Sequence, residues 1–363
     1  MAFSVLTLCP GAQGTRMAEF CDDVALWEEE VPHAPPSSAP PGGLREEAEV
    51  RCEALERFLE DHPLRGGGLH AVVGRGGVVG PVPGGFYEVD EALGRHLLKD
   101  HPRGHVSNLG GVLARALALP RGARALMGDP LSTEEREPEA RLSGWPELPW
   151  QALGHVWSLK AAVRAAARDL GRPWEELAAV VVHLDRGISS CAHREGRMVD
   201  LINPNDGGAF SLDQAGGVPS GDLARLCFSG AYTLRDVRTA LVGAGGLGGY
   251  LGTRDLEEVH ARRKAGDEGA ERAFSAMAYQ VGQEIGALAV ALSGRVDAVI
   301  LAGPLARDPL LVQRVRGWVQ WIAPVLVYPG GDELHFLAEG AVRVLSGEER
   351  AKCYGDYAGM EEE

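Results

Sequence analysis

Four short, nearly uninterrupted apolar runs, at 3–8, 69–73, 178–184 and 297–302, stop abruptly at glycine, proline or small polar residues. An apolar run of this length that does not alternate reads as a strand buried on both faces. Strands of that kind need helices on either side of their sheet, which restricts the chain to a layered α/β architecture. The runs open into loops at 9–15, 74–77, 185–190 and 303–308, and a fifth loop, 203–208, follows the strand expected at 197–202. Glycine allows close approach and positive φ, so such loops either wrap phosphate oxygens with backbone N–H groups or simply connect elements. Taken singly each reads as a connection; together they predict a cleft.

Helical patterns supply the cover. Leu44, Ala48, Cys52, Leu55 and Leu59 recur at spacings of three and four, which predicts an amphipathic helix over 44–60. Further helices are expected at 91–98, 108–117, 152–170 (closed by Gly171), 274–292 and 334–345. Short strands are expected at 86–89, 125–127 and 324–328, with a hairpin turn at Glu195 and Gly196. The proline-, glycine- and serine-rich segment 32–43 is expected to be extended surface chain. A length of 363 residues, at roughly 150 per domain, predicts two domains.

Several function classes fall away. Lys and Arg number 36 against 51 Asp and Glu, a formal charge of −15, which repels nucleic acid. No stretch approaches the 18 or so apolar residues of a membrane span. The six cysteines lie far apart with no C-x-x-C pair, and no secretory leader is evident, so a reducing cytoplasm is expected. The string Gly243-Ala244-Gly245-Gly246-Leu247-Gly248 satisfies G-x-G-x-x-G, but helical spacing at 234–242 precedes it, so a loop between helices is expected instead of a dinucleotide site. His101 and His105 straddle Pro102 and Gly104 and share no helical face, and neither a nucleophile elbow nor a Walker loop is present.

The segment 183–200, HLDRGISSCAHREGRMVD, resembles the H-L-G-G-G-I-S-x-x-A-H-x-x-G-R-x-x-D segment of butyrate kinases. Segments 72–77, 84–89, 107–110, 210–211, 276–280, 328–334 and 338–341 are similar to the same family, and the likeness runs from Phe3 to about Tyr354. The resemblance implies a two-domain α/β protein of the actin-like ATPase fold, a duplicated ribonuclease-H-like core with an interdomain nucleotide cleft. The domains are expected at 1–154 and 155–334, with a last helix at about 335–355 packing back on the first. It also implies ATP and Mg2+, a short-chain carboxylate or acyl phosphate as the other substrate, and a homo-oligomer. Arg75 takes the place of an arginine that holds the carboxylate or phosphoryl group, and His155 that of a histidine stabilising the phosphoryl group in flight. Asp129, Asp332 and Glu333 fall on acidic positions near the metal. Gly11, Thr15 and Arg16 persist from the opening phosphate loop, Gly187 and Ser189 from the second, and Asp206, Gly207 and Gly303 from other nucleotide contacts, with Arg186 a candidate contact of this chain's own.

The departures are concentrated in the phosphate loops. Cys9, Ala12 and Gln13 replace an asparagine and hydroxyl residues, Asp185 and Arg186 replace two glycines, Gln214 replaces an arginine, and Pro304 replaces a glycine of the adenosine side. Two readings follow: a butyrate-type kinase with attenuated turnover, or a catalytically silent relative serving as a binding or regulatory subunit. A sugar kinase would need a hexose-binding polar cluster that the sequence does not display. Trp145, Trp150 and Trp157 flank His155 and are expected to narrow the acyl pocket.

Overall fold

The computed structural model describes residues 2–33, 43–99, 105–330 and 333–357. Twelve strands are present among them: β1 (Ser4–Pro10), β2 (Gly14–Cys21), β3 (Val24–Pro32), β4 (Ala71–Arg75), β5 (Phe86–Glu88), β6 (Arg124–Gly128), β7 (Ala179–His183), β8 (Ser189–Arg194), β9 (Arg197–Ile202), β10 (Ala298–Ala302), β11 (Val325–Tyr328) and β12 (Lys352–Cys353). The chain divides into two compact units, residues 1–134 with 332–363, and residues 135–331.

The first unit holds a seven-stranded sheet in the order β12-β5-β6-β4-β1-β2-β3. Strands β1, β2 and β3 form an antiparallel meander, while β4 runs parallel to β1 and β6 parallel to β4. The second holds five strands in the order β11-β10-β7-β8-β9, with β7, β8 and β9 antiparallel and β10 and β11 parallel to β7. The series β3-β2-β1-β4-β6 and β9-β8-β7-β10-β11 therefore match strand for strand, the duplicated core that the resemblance implies. Parallel neighbours require crossovers, and the helices that make them cover the sheet faces.

The central strands of each sheet are buried on both faces. Leu6, Leu8, Val72 and Met127 pack with Leu55, Leu113 and Leu117 of the helices Gly43–Asp61 and Leu109–Ala118. Val5, Val73 and Leu126, which alternate with them, pack with Leu334, Leu337 and Ala341 of the helix Glu333–Ser346. In the second unit Val180, Val182 and Leu301 meet Phe274, Met277 and Ile285 of the helix Glu268–Ala291, and Val181 and Ile300 meet Leu159 and Val163 of the helix Val156–Leu170.

The hairpin strands β2 and β3 are absent from the sequence reading. They carry the charged residues Arg16, Glu19, Glu28, Glu29 and Glu30, and this polarity conceals strands that pairing of β2 with β1 and of β3 with β2 secures. The loop expected at 9–15 is correspondingly short: Pro10 pairs with Thr15 across the hairpin. The G-x-G-x-x-G string joins the helices Leu234–Leu241 and Gly246–Leu251, as its context predicts. Most of the proline-rich segment, His101 and Asp332 lie outside the described residues. No helix of the described residues is long and apolar enough to cross a membrane.

One contact governs how closely helix and sheet approach in the first unit. A Cβ on Gly74 would lie 1.9 Å from the carbonyl oxygen of Gly110, and one on Gly110 would lie 2.2 Å from that of Arg75. Backbone meets backbone, so neither partner can yield by turning a side chain. Gly74→Ala is expected to destabilise the protein by about 1–3 kcal/mol or more through overpacking, read as a lower urea midpoint.

Candidate functional site

In the first unit the polar groups collect where β1, β4 and β6 end. Arg75 is the last residue of β4, and its Nη1 lies 4.0 Å from Oε2 of Glu333 at the start of the final helix. Cys9, buried at the end of β1, belongs to the same cluster: burial and the Glu333 carboxylate push its thiol well above its usual pKa, with Arg75 opposing. The thiol therefore stays protonated. Burial works against the charge of Arg16, but its hydrogen bond to Glu28 (2.6 Å) and the nearby Glu333 outweigh that and raise its pKa. His105 lies beside Arg75, and burial followed by the guanidinium charge keeps its pKa low.

The loop residues are held from behind. Gly11 closes the β1–β2 turn by donating its N–H to the Gly14 carbonyl at 2.7 Å. The Thr15 hydroxyl turns inward, 2.9 Å from Nε2 of His33 and within reach of the buried Arg51 guanidinium at 3.3 Å. Burial and Arg51 bring His33 down to about 4, so this ring is neutral at physiological pH. Asn108 accepts from the Val78 N–H and donates to the Leu97 carbonyl, fixing the loop after Arg75. Asp129 follows β6 at φ 21°, is buried, and accepts the Gly85 N–H at 2.7 Å through Oδ1.

In the second unit the corresponding strand end, that of β7, presents His183. Its ring lies 4.5 Å, centroid to centroid, from that of His155, the residue preceding the helix Val156–Leu170. Ser189, the first residue of β8, stands 2.8 Å from Nδ1 of His155 through its hydroxyl and accepts the His155 backbone N–H at 3.3 Å. The Ser189 hydroxyl thus holds both the backbone and the ring of His155. Gly303, at φ 90°, packs on this cluster: a Cβ there would lie 2.6 Å from the Leu184 carbonyl oxygen and 3.0 Å from the His183 ring.

Asp185 and Arg186, the two side chains that replace glycines, are both engaged. Oδ1 of Asp185 accepts the Arg186 N–H at 2.7 Å, and Nε and Nη2 of Arg186 donate to Oδ2 of Asp213. Burial works to raise the Asp185 pKa, but the His183 ring, the Arg186 amide and the neighbouring His155 outweigh it, and the carboxyl is held below its usual range. Arg186 thus carries a guanidinium to the turn at 213–214, beside the position where the resemblance places one. Gly187 packs against Gln214, Asp206 accepts from the Asn203 amide at 2.7 Å, and Gly207 borders a cavity of about 350 Å3 lined also by Leu142, Trp150, Asp200 and Asn203. Of the three tryptophans, Trp150 lines this cavity, Trp157 is buried edge-on to His183 at 6.4 Å, and Trp145 is exposed.

Sequence reasoning missed Glu284. It lies midway along the helix Glu268–Ala291, buried, and accepts from the Ser190 hydroxyl and the Ala209 N–H, both at 2.7 Å. These bonds tie the 203–209 loop to β8. Its helical position faces the apolar stripe, so a lone carboxylate among Val281, Ile285 and Leu288 was the available signal.

The paired β-meander and crossover sheets define the actin-like ATPase fold, which the chain shares with solved acetate kinases. The acetate kinase of Porphyromonas gingivalis superposes with a TM-score of 0.76 at 17% identity, covering 94% of this chain and all of that one. That of Entamoeba histolytica gives 0.75 at 13% identity, covering 93% and 99%. A model of the acetokinase family matches residues 154–315. Over 355 residues the chain is 40% identical to a probable butyrate kinase of Clostridium botulinum (strain Eklund 17B / Type B) and 41% identical to one of Listeria innocua, in each case covering 98% of this chain and the whole relative. The chain belongs to the acetokinase family, in its butyrate kinase branch.

Burial raises the Glu284 carboxyl from 4.5 to about 7, the bonds from Ser190 and Ala209 pulling the other way. A folded-state pKa above the unfolded one means that the folded protein binds the extra proton in this window. The contribution of Glu284 to stability is therefore fully present below about 4.5 and is lost as pH rises through about 7. Glu284→Gln, neutral at every pH, is expected to flatten the dependence of the urea midpoint on pH between these values.

Proposed function

We propose that this protein transfers a phosphoryl group reversibly between ATP and a short-chain carboxylate of the butyrate type, forming an acyl phosphate. The observation that carries the reading is His155 held by Ser189 through its backbone N–H and its Nδ1, in a chain that follows butyrate kinase relatives over nearly its whole length. Phosphoryl transfer asks little covalent chemistry of a protein; it asks for positioned donors and cations around a group whose charge spreads over three oxygens. An imidazole held in place by a hydroxyl behind it can supply such a donor.

The other groups take complementary parts. Arg75 offers a planar guanidinium suited to two parallel bonds with a carboxylate or phosphoryl group, and Glu333 beside it keeps the fork oriented. Ser189 orients His155 and acts through it. Asp206, Gly207, Gly187 and Gly303 shape nucleotide contacts, and Arg186 supplies a guanidinium from a different loop than the family's arginine. Asp129 and Glu333 are oxygen donors of the hard type that Mg2+ demands; with Asp332 they would hold the ion, which when bound neutralises phosphate charge.

Butyrate and Mg-ATP are expected to yield acyl phosphate, trapped as the hydroxamate. Arg75→Ala is expected to lower kcat/KM by about 10³-fold or more. A folded protein that forms no acyl phosphate from any two- to five-carbon acid would overturn the reading. Ser189→Ala is expected to reduce kcat by about tenfold while leaving the KM for ATP nearly unchanged, because it loosens His155 without removing it. An equal loss in Ser189→Ala and His155→Ala would mean that the hydroxyl itself contacts the reacting group.

A further inference from the structure

Two imidazoles and a carboxylate converge at the end of β7. One ligand atom from each of His155, His183 and Asp185 lies within 4.8 Å of the other two. His183 is 3% exposed, and its Nδ1 is buried without a hydrogen-bond partner, facing Gly303. Its Nε2 lies 3.7 Å from Oδ2 of Asp185, beyond hydrogen-bond reach. This is a buried histidine whose ring is fixed by packing and whose polar edge is turned toward a carboxylate it does not quite touch. Oδ1 of Asp185 is anchored by the Arg186 N–H, which directs Oδ2 to the same point.

We propose that His155, His183 and Asp185 form a binding site for a divalent transition-metal ion, Zn2+ foremost. The donor set is two nitrogens and one oxygen, which suits Zn2+ and not Mg2+. Bonds of about 2.0–2.2 Å around a tetrahedral ion place ligand atoms roughly 3.4 Å apart. The present spread closes by torsion of Asp185, whose side chain is 37% exposed and carried on a loop. Three protein ligands leave one position open to water or a phosphate oxygen. Ser189 completes the arrangement: with the ion on Nε2 of His155, the ring proton sits on Nδ1 and is donated to the Ser189 hydroxyl, which fixes the ligating ring.

Asp185 stands where the family resemblance places glycine, so the carboxylate ligand belongs to this chain and not to the family pattern. The ion would occupy Nε2 of His155 and withdraw it from the phosphoryl group. That consequence rests on the proposed function; the binding itself does not.

Calorimetric titration of the full-length, chelator-stripped protein with Zn2+ tests the site, with the d–d absorption of Co2+ as a second probe. One ion per chain is expected, and a Co2+ spectrum of low-coordinate nitrogen and oxygen ligation. Asp185→Asn and His183→Gln are each expected to weaken binding by at least about tenfold. The double variant Cys227→Ser, Cys353→Ser, which removes two exposed thiols, is expected to bind as the parent does. Binding that survives Asp185→Asn unchanged, that vanishes with the thiols, or that fails to saturate at millimolar Zn2+ would overturn the proposal. None of these readouts requires catalysis, so loss of the site and loss of the kinase reading are told apart.

Discussion

Burial of the central strands on both faces is the constraint on which the rest depends. With Val5 and Leu6, or Val181 and Val182, packed into opposite layers of helix, no side chain in the middle of these strands can reach solvent. Function is displaced to the carboxyl ends, where the chain leaves the sheet, the general location of ligand sites in open α/β sheets. Arg75 ends β4, Asp129 follows β6, His183 ends β7 and Gly303 follows β10. The close approach of Gly74 to Gly110 serves the same end, since it lets the helix Leu109–Ala118 press on β4 immediately before Arg75.

The two units handle charge differently. In the first, Arg75 and Arg16 are balanced by Glu333, and the same carboxylate helps to keep the Cys9 thiol protonated. A cation is thereby kept available without an ionised thiolate next to it. In the second, hydroxyls and amides do the work: Ser189 holds the His155 ring through Nδ1, and Ser190 and Ala209 hold Glu284. Backbone and neutral donors can serve as well as charges in holding groups in place when they are rigid.

Much of this was legible in the chain alone. Uninterrupted apolar runs announced β1, β4, β7 and β10, three-and-four spacing announced the covering helices, and the strand exits drew attention to Arg75, Asp129 and the 185–190 loop. The strands β2 and β3 were not legible, because β2 buries charged Glu19 among its apolar residues and β3, at the sheet edge, is largely exposed and rich in glutamate, so neither leaves a clear apolar pattern. Nor was Glu284, since nothing in a helical stripe tells a misplaced charge from a bonded one. Arg186, expected as a nucleotide contact of this chain's own, pairs with Asp213 from a distant loop, a pairing the sequence did not announce.

The sequence by itself determined the layered α/β class, the order of the strand exits and the kind of residue at each, because hydrophobic periodicity and glycine placement act over a few neighbouring positions. It also determined kinship with butyrate kinases through motifs contiguous in the chain. Only the tertiary structure decided that Ser189 bonds His155, that Thr15 turns inward toward Arg51, and that His155 gathers with His183 and Asp185. Those pairings join residues brought together by strand register and crossover packing, and distance along the chain carries no record of them.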